Sequence, residues 1–119
     1  MTTAHTALQT LLLAAAPVTA LAGTRIAADR AEEDWQRRPF VVYSGTTEPQ
    51  RCLDGSTEGD LTVFEIQIWA DTRASAEALA NAVQDACDGA HQYITARAGG
   101  HDGELDLEAV VMTCNWWTD

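Results

Sequence analysis

The chain has 119 residues, which suits one domain with one hydrophobic core, and 46% of them are hydrophobic, as in ordinary globular proteins. Its formal net charge of −11 excludes non-specific binding to nucleic acid, because that binding depends on cationic side chains that neutralise phosphates. Strong acidity keeps a protein soluble, and it also favours contact with a basic protein partner.

The first predicted element is an amphipathic helix over residues 3–16. Its apolar residues recur at helical spacing and therefore share one face: Ala4, Leu8, Leu11, Leu12 and Ala15. The segment also imitates a secretion signal, since the stretch from Ala20 to Gly23 has the form of a cleavage site. The first ten residues contain no Lys or Arg, however, so we expect a core helix of a cytoplasmic protein. The apolar run is also shorter than the roughly 20 residues of a membrane span, and we expect no membrane partner.

Pro17 is expected to stop this helix or to begin a short second turn through Ala22, which Gly23 closes. A short strand is predicted at residues 25–27. The charged segment at residues 29–38 is predicted as a surface loop, or as one helical turn around Trp35.

A hairpin is predicted in the middle of the chain. Residues 40–44 are rich in β-forming side chains and follow a proline, which predicts a strand. Residues 45–49 are predicted as a turn. Residues 51–53 are predicted as a second hairpin arm, closed by the turn dipeptide Asp54 and Gly55.

The clearest signal is a strand at residues 61–70 that runs at once into a helix at residues 73–87. In the strand, Phe64, Ile66 and Ile68 alternate with polar residues, so they share one face. Asp71 or Thr72 is expected to cap the helix. The apolar face of the helix consists of Ala76, Leu79, Ala80, Val83 and Cys87.

The end of the chain is predicted as a second hairpin, with a strand at residues 93–98, a flexible tip at 99–103 and a last strand at 105–117. The last strand is apolar on both faces, which is typical of a central strand or of one covered by a neighbouring subunit. These elements predict an α+β fold over residues 1–119. We expect a single two-layer domain, in which two helices pack on one face of a mostly antiparallel sheet.

Signatures of catalysis are missing from the sequence. There is no GxSxG, P-loop, GxGxxG or HExxH motif, so we expect neither an enzyme nor a cofactor. The cysteines Cys52, Cys87 and Cys114 are odd in number and far apart, which is no disulfide framework. They are interpreted as free thiols in a reducing cytoplasm.

Three sets of residues could in principle hold a metal ion or a nucleophile, and each has a simpler interpretation. His91, His101 and Cys114 match no known zinc spacing. Cys87 and His91 are four residues apart, but Cys87 belongs to the apolar helix face. The acidic residues around the glycine-rich tip match no calcium loop and indicate a solvated hairpin. We therefore expect no metal site.

Candidate contact residues for a subunit or partner are Trp35, Arg37, Arg38, Trp116 and Trp117. The first three belong to a segment of mixed charge, and such loops with one tryptophan suit the rim of an interface. Trp116 and Trp117 are adjacent on a predicted strand and must face opposite ways, so at most one can enter the core. The other is a candidate interface anchor.

Three segments resemble the tail-terminator and tail-completion proteins of long-tailed bacteriophages and related gene-transfer particles. The first is Leu8, Leu11 and Leu12 leading to residues 17–26. The second is residues 38–43 running on to 52–55, and the third is the strand 64–72 with the helix 76–89. The match covers about residues 5–89 and involves the fold rather than catalytic groups.

The resemblance implies a ring, commonly of six copies, at the head-proximal end of the tail tube in a virion assembled in the host cytoplasm. Such a ring contacts the tail tube protein on one face and the head–tail connector or neck protein on the other, and it stops tube polymerisation. DNA passes through it without specific binding. A negative lumen would keep the DNA from sticking. The candidate lumen residues are Glu58, Asp60, Asp102, Glu104 and Asp106.

Three alternatives remain open from the sequence. The chain could be another neck protein of the same particle, with a nearly identical core. It could be a small thiol- or metal-dependent enzyme, or a small secreted protein cleaved after Ala22. Intact mass, metal analysis and alkylation of the three cysteines separate the last two from the virion proteins.

Overall fold

A computed structural model of the chain describes residues 3–28, 38–51, 57–104 and 106–118; of residues 48–51, 57–60 and 118 it describes the backbone. Three helices and five strands follow one another in the described residues. In chain order they are α1 (Ala4–Ala14), α2 (Ala16–Ala22), β1 (Ile26–Ala28), β2 (Phe40–Arg51), β3 (Thr57–Ala70), α3 (Arg73–Gly89), β4 (Ile94–Asp102) and β5 (Leu107–Thr118).

The N-terminal segment folds as two helices, α1 and α2, which meet at Ala15. Ala15 has an extended backbone, so the helical path breaks there and Pro17 lies at the start of α2, where its missing N–H costs nothing. Of the two options that the sequence left open at Pro17, the structure has the second helix, closed by Gly23 as predicted. Among the described residues no single helix is long and apolar enough to cross a membrane. Only α1 and α2 taken together reach the length and apolar composition of a membrane span, and this pair of helices is bent by 82°.

The sheet has the strand order β1-β2-β3-β5-β4. Its pairs are antiparallel except for β1 and β2, which run parallel. The predicted α+β fold with a mostly antiparallel sheet is therefore confirmed. The predicted number of helices was too low by one, because the break at Ala15 makes α2 a helix of its own.

The predicted turn at residues 45–49 is wrong. β2 continues without interruption from Phe40 to Arg51 and pairs with β3 along its length. Gly45 and Pro49 are typical turn residues, but the long antiparallel partner and the β-branched Thr46 and Thr47 favour a continuous strand. The predicted closing turn at Asp54 and Gly55 lies outside the described residues.

The second hairpin also extends further than predicted. Gly99 and Gly100 lie inside β4 instead of at its tip, and the turn comes later, around Gly103 and Asp106. Asp106 has a φ of 53°, a left-handed conformation that aspartate tolerates better than most residues. β5 lies between β3 and β4, which agrees with the central position expected from its two apolar faces.

The core lies between the three helices and one face of the sheet. The apolar face predicted for α3 is the buried one: Ala76, Leu79, Ala80, Val83 and Cys87. Leu8, Leu12 and Val18 of the first two helices are fully buried beside them. Thr72 caps α3, since its side-chain oxygen accepts a hydrogen bond from the Ser75 N–H.

Cys87 and Cys114 are free thiols inside this core. A hydrogen bond with Cys114 and burial raise the pKa of the Cys87 thiol, so this thiol stays protonated at neutral pH. Cys114 also donates to the Gln92 carbonyl oxygen at 3.4 Å. Both cysteines therefore act as small core residues.

Candidate functional site

The most extensive candidate surface is the sheet face opposite the helices, called the open face below. Along β3 and β5 buried and accessible residues alternate, and the strand register brings the accessible ones together. They are Leu61, Val63, Glu65, Gln67 and Trp69 on β3, and Ala109, Val111, Thr113, Asn115 and Trp117 on β5. Glu65 is the single charged side chain in this set, so the open face is far less acidic than the chain as a whole.

A row of hydrogen bonds orders the centre of the open face. The Trp69 indole N–H donates to Gln67 Oε1 at 3.2 Å, and Gln67 Nε2 donates to Glu65 Oε1 at 3.1 Å. These three residues stand at alternate positions of β3, which places them side by side on one face. The row therefore links the three side chains along one face of β3.

Large apolar side chains lie exposed beside this row on β5 and beyond its Glu65 end. Val63 is 42% exposed, Val111 36% and Trp117 52%. Beside Trp69 the small residues Ala98 and Gly100 leave a shallow depression of about 300 Å³. Apolar side chains grouped on one face of a small domain are typical of a protein–protein contact.

The two adjacent tryptophans face opposite ways, as the alternation of a strand requires. Trp116 is 6% exposed, and its ring meets that of Phe64 edge to face, with centroids 6.1 Å apart. Trp116 is therefore a core residue, and Trp117 is the exposed member of the pair. The alternation along the strand predicts that the two side chains face opposite ways. It does not predict which of them enters the core, because that depends on which face of the sheet the helices cover.

Arg38 is held within its own chain. Its Nε donates to Asp71 Oδ1 at 2.6 Å, which ties the start of β2 to the turn before α3. Trp35 and Arg37, the other candidate contact residues of that segment, lie outside the described residues.

The turn between β4 and β5 carries a group of acidic residues, called the acidic turn below: Asp102, Glu104 and Asp106. The Asp102 side chain accepts a hydrogen bond from the Glu104 N–H at 3.0 Å, a local contact that fixes the turn. His101 lies 3.4 Å from Asp106 and 3.0 Å from Glu108. The Asp106 side chain is 93% exposed, so the turn presents negative charge to solvent.

Glu58 and Asp60, the other candidate lumen residues, do not lie near the acidic turn. Asp60 pairs with Thr118 at the far end of β5, whereas the acidic turn adjoins Leu107 at its near end. The length of β5 between these two residues corresponds to about 36 Å of extended chain. The candidate acidic residues thus form two groups at opposite ends of the sheet.

The β2–β3 hairpin continues past the apolar core residues of its own two strands, with β5 paired to β3 as far as Asp60. No described side chain of β2 after Tyr43, or of β3 before Phe64, belongs to the core cluster. We call this continuation the hairpin arm, meaning β2 from Thr46 to Arg51 with β3 from Thr57 to Val63. The molecule is elongated and measures 51 × 27 × 25 Å.

The described residues offer little catalytic chemistry. They contain no group of three His, Cys, Asp or Glu side chains that could hold a metal ion. The His91 ring bonds to the Tyr93 hydroxyl at 3.1 Å, while Cys87, four residues earlier, is fully buried. A Cys–His nucleophile needs an accessible thiol, which this pair does not provide.

Comparison with known proteins identifies the family of the chain. The family model "Tail completion protein gp17" matches residues 6–119, which is nearly the whole chain. The chain belongs to the tail completion protein family. This is a family of structural phage tail proteins, so the chain has a structural role in a virion tail.

A solved structure, "Virion of native gene transfer agent (GTA) particle", contains a chain of similar fold. The TM-score is 0.78 at 20% sequence identity, and the match covers 92% of this chain and 90% of that chain. At this identity the similarity concerns the fold alone. The comparison with curated proteins gave no match. The resemblance inferred from three sequence segments is confirmed by the family match, which also extends over the final hairpin.

Proposed function

We propose that this tail completion protein forms a ring, of six copies, that caps the head-proximal end of the tail tube, stops tube polymerisation and provides the surface for head attachment. The observation that carries the proposal is the family match over residues 6–119. The partners would be further copies of the chain, the tail tube protein and the head–tail connector or neck protein. None of these contacts requires catalysis, in keeping with the structural role of the family.

The shape of the domain supports this role. The open face exposes apolar side chains, and the hairpin arm extends past the apolar core residues of β2 and β3. A cap needs one surface that fits the last ring of the tube and another that rejects a further tube subunit. A domain with an extended arm at one end and an acidic turn at the other has two unlike ends of this kind.

The charge of the chain suits a channel for DNA. We propose that Glu58 and Asp60 lie near one opening of the ring and that Asp102, Glu104 and Asp106 lie near the other. Their separation along β5 by about 36 Å supports a position at two ends of the proposed channel over a position on one belt. Negative charge at both openings would repel DNA phosphates, so DNA would pass without binding.

The direct test is electron microscopy of particles produced when the gene is deleted from its phage or phage-like element. The proposal requires overlong tails of variable length beside unattached filled heads. Tails of normal length that merely fail to join heads would assign the chain to the neck instead. Normal infectious particles would exclude both roles.

A further inference from the structure

We propose that neighbouring copies in the ring join edge to edge, with β4 of one copy pairing antiparallel with the outer edge of β2 in the next, Gly99 opposite Thr47. This inference rests on the proposed ring and adds how its subunits are held. The partner is a second copy of this chain, recognised through backbone hydrogen bonds.

The first observation is that the sheet ends in two long unpaired edges. β4 is the last strand on one side, and no strand among the described residues pairs with its outer edge. On the other side β1 pairs with only Val41 to Tyr43 of β2. From Ser44 onward, the described part of the chain again provides no outer partner for β2. Such edges are templates for another strand.

The backbone groups that point outward at each edge follow from the hydrogen bonds inside the sheet. The Val41 N–H donates to the Arg25 carbonyl oxygen, away from β3, so the odd residues of β2 face outward. Gly45 and Thr47 therefore present N–H and C=O groups at the free edge. Pro49 presents only its C=O, in keeping with the rule that a strand proline faces away from the ladder.

The same alternation applies at the opposite edge. The Asn115 N–H donates to the Tyr93 carbonyl oxygen, so the odd residues of β5 face β4. Thr113, Val111 and Ala109 lie opposite even residues of β4, which must face inward. The outward-facing residues of β4 are then Arg97, Gly99 and His101, and all three are exposed.

The two edges fit each other in direction and face. β2, β3, β5 and β4 are successively antiparallel, so β4 runs opposite to β2 and a neighbouring β2 continues the alternation. Pairing Gly99 with Thr47 also pairs His101 with Gly45 and Arg97 with Pro49. It uses every outward-facing residue of β4 and forms about five hydrogen bonds, one being lost at the proline. All helices would then lie on one side of the joined sheet.

The charged side chains at the β4 edge do not block this pairing. The Arg97 guanidinium bonds to Asn81 and Gln84 of α3, at 2.8 and 3.1 Å, and His101 is held by Glu108. The charged groups that often guard an edge strand are therefore turned onto the helical side of their own subunit.

The register also has the geometry of a closed ring. Within one copy, Gly99 lies opposite Val110, which lies opposite Ile68, and Ile68 lies opposite Val41. Gly99 and Val41 are therefore at the same height along the strands. Pairing Gly99 with Thr47 of the neighbour displaces that neighbour by six residues, about 20 Å along the strands. The four long strands of one copy span about 19 Å. The resulting strand tilt is about 45°, at the upper end of the tilts found in closed barrels.

Disulfide trapping in assembled particles tests the pairing. In a Cys52→Ser background, Thr47→Cys is combined with Gly99→Cys, since directly opposed strand residues have Cα separations that a disulfide can span. The control combines Thr47→Cys with Ala98→Cys. The backbone N–H and C=O groups of residue 98 point toward β5, and its side chain lies on the open face of the sheet. Oxidised particles are analysed by non-reducing gel electrophoresis, and the single variants report on stability and background.

The expected result is a covalent ladder up to the full ring for the Thr47–Gly99 pair, and its loss in the control and in each single variant. Particles that contain the Thr47–Gly99 variant and have tails of normal length, but show no ladder, would overturn the edge pairing and leave the capping role intact. Failure of the capping role would show separately, as tails of normal length in the deletion strain.

Proline substitution gives a second test. Gly99→Pro removes an outward N–H, so the isolated protein should keep the thermal stability of the wild type, whereas Gly100→Pro should lose it because its N–H faces β5. We expect Gly99→Pro to abolish complementation of the deletion. A folded Gly99→Pro protein that restores normal particles would contradict the proposal.

Discussion

Gly45 lies directly opposite Phe64 in the β2–β3 ladder, and the phenylalanine ring occupies the space that a side chain at position 45 would need. A Cβ atom built on Gly45 would lie 2.7 Å from Phe64 Cδ1 and 2.9 Å from Cε1. The same ring meets His5, Tyr43 and Trp116 edge to face. The glycine is therefore required by packing at the point where the hairpin arm leaves the core.

Substitution of this glycine should destabilise the domain. Gly45→Ala forces the Phe64 ring out of its position, and overpacking of this kind costs about 1–3 kcal/mol. Gly100→Ala is the matched control, because it is also a strand glycine and a Cβ atom added there would meet nothing within 4 Å. Its effect should stay within about 0.5 kcal/mol. Urea unfolding measures both.

A double-mutant cycle decides whether Phe64 causes the effect. Combined with Phe64→Leu, the alanine at position 45 should cost less than it does alone, because the smaller side chain leaves room for the methyl group. Additive effects of the two substitutions would attribute the cost to the backbone of β2 instead.

The two adjacent tryptophans should separate folding from assembly. Trp116→Ala empties part of the core and should cost about 3–5 kcal/mol in the free energy of unfolding. Trp117→Ala removes an exposed ring, so the stability of the isolated subunit should change by less than about 0.5 kcal/mol.

For assembly of the particle we expect Trp117 to be the more important of the two tryptophans. If Trp117 anchors a contact, its truncation should lower the yield of joined particles while the purified protein remains folded. The yield is measured by complementation of the deletion strain and particle counting. Wild-type yield with Trp117→Ala would mean that Trp117 anchors no contact in the particle.

Local patterns predicted the helices well, and longer-range relationships decided the rest. α3 was predicted with its buried face because a period of 3.6 residues is visible in a single segment. The continuation of β2 through Gly45 was not predicted, because glycine and proline indicate a turn locally, and only the partner strand makes them part of a ladder. The free edges of β2 and β4 could not be predicted from the sequence either, because the strand order, with β5 between β3 and β4, depends on the whole sheet.

Alkaline pH should destabilise the protein through Cys87. The pKa of the Cys87 thiol is raised in the folded state by its hydrogen bond to Cys114 and by burial, so at this position the unfolded chain releases the proton first as pH rises. The stability that Cys87 contributes is present below the unfolded pKa of about 8.5 and is lost above it, by up to about 1.4 kcal/mol for each pH unit. The same hydrogen bond lowers the pKa of Cys114, which offsets part of this loss.

The measurement is the free energy of unfolding by urea between pH 7 and pH 10, with Cys87→Ala as the control. The variant should be less stable at pH 7, because a core side chain is truncated, but its stability should fall less steeply above pH 8.5. Equal slopes for the two proteins would assign the alkaline loss to other groups.

The acidic turn should affect the passage of DNA without affecting assembly. Glu104→Gln with Asp106→Asn removes two charges per copy while keeping the turn, because asparagine also tolerates the left-handed backbone at position 106. If the turn lies at an opening of the channel, DNA should leave the particles more slowly, and the delay should shrink as salt screens the phosphates. Release is followed with a DNA-binding dye after triggered ejection.

The control for that experiment is Glu77→Gln with Asp85→Asn, which removes the same charge from exposed positions on α3. If the helices form the outer side of the proposed ring, they lie far from the DNA, and this pair should leave the release rate unchanged at any ionic strength. Equal delays in both pairs would mean that net charge, rather than charge at the channel opening, governs release. No delay in either pair would place the acidic turn away from the DNA path, on the outside of the ring.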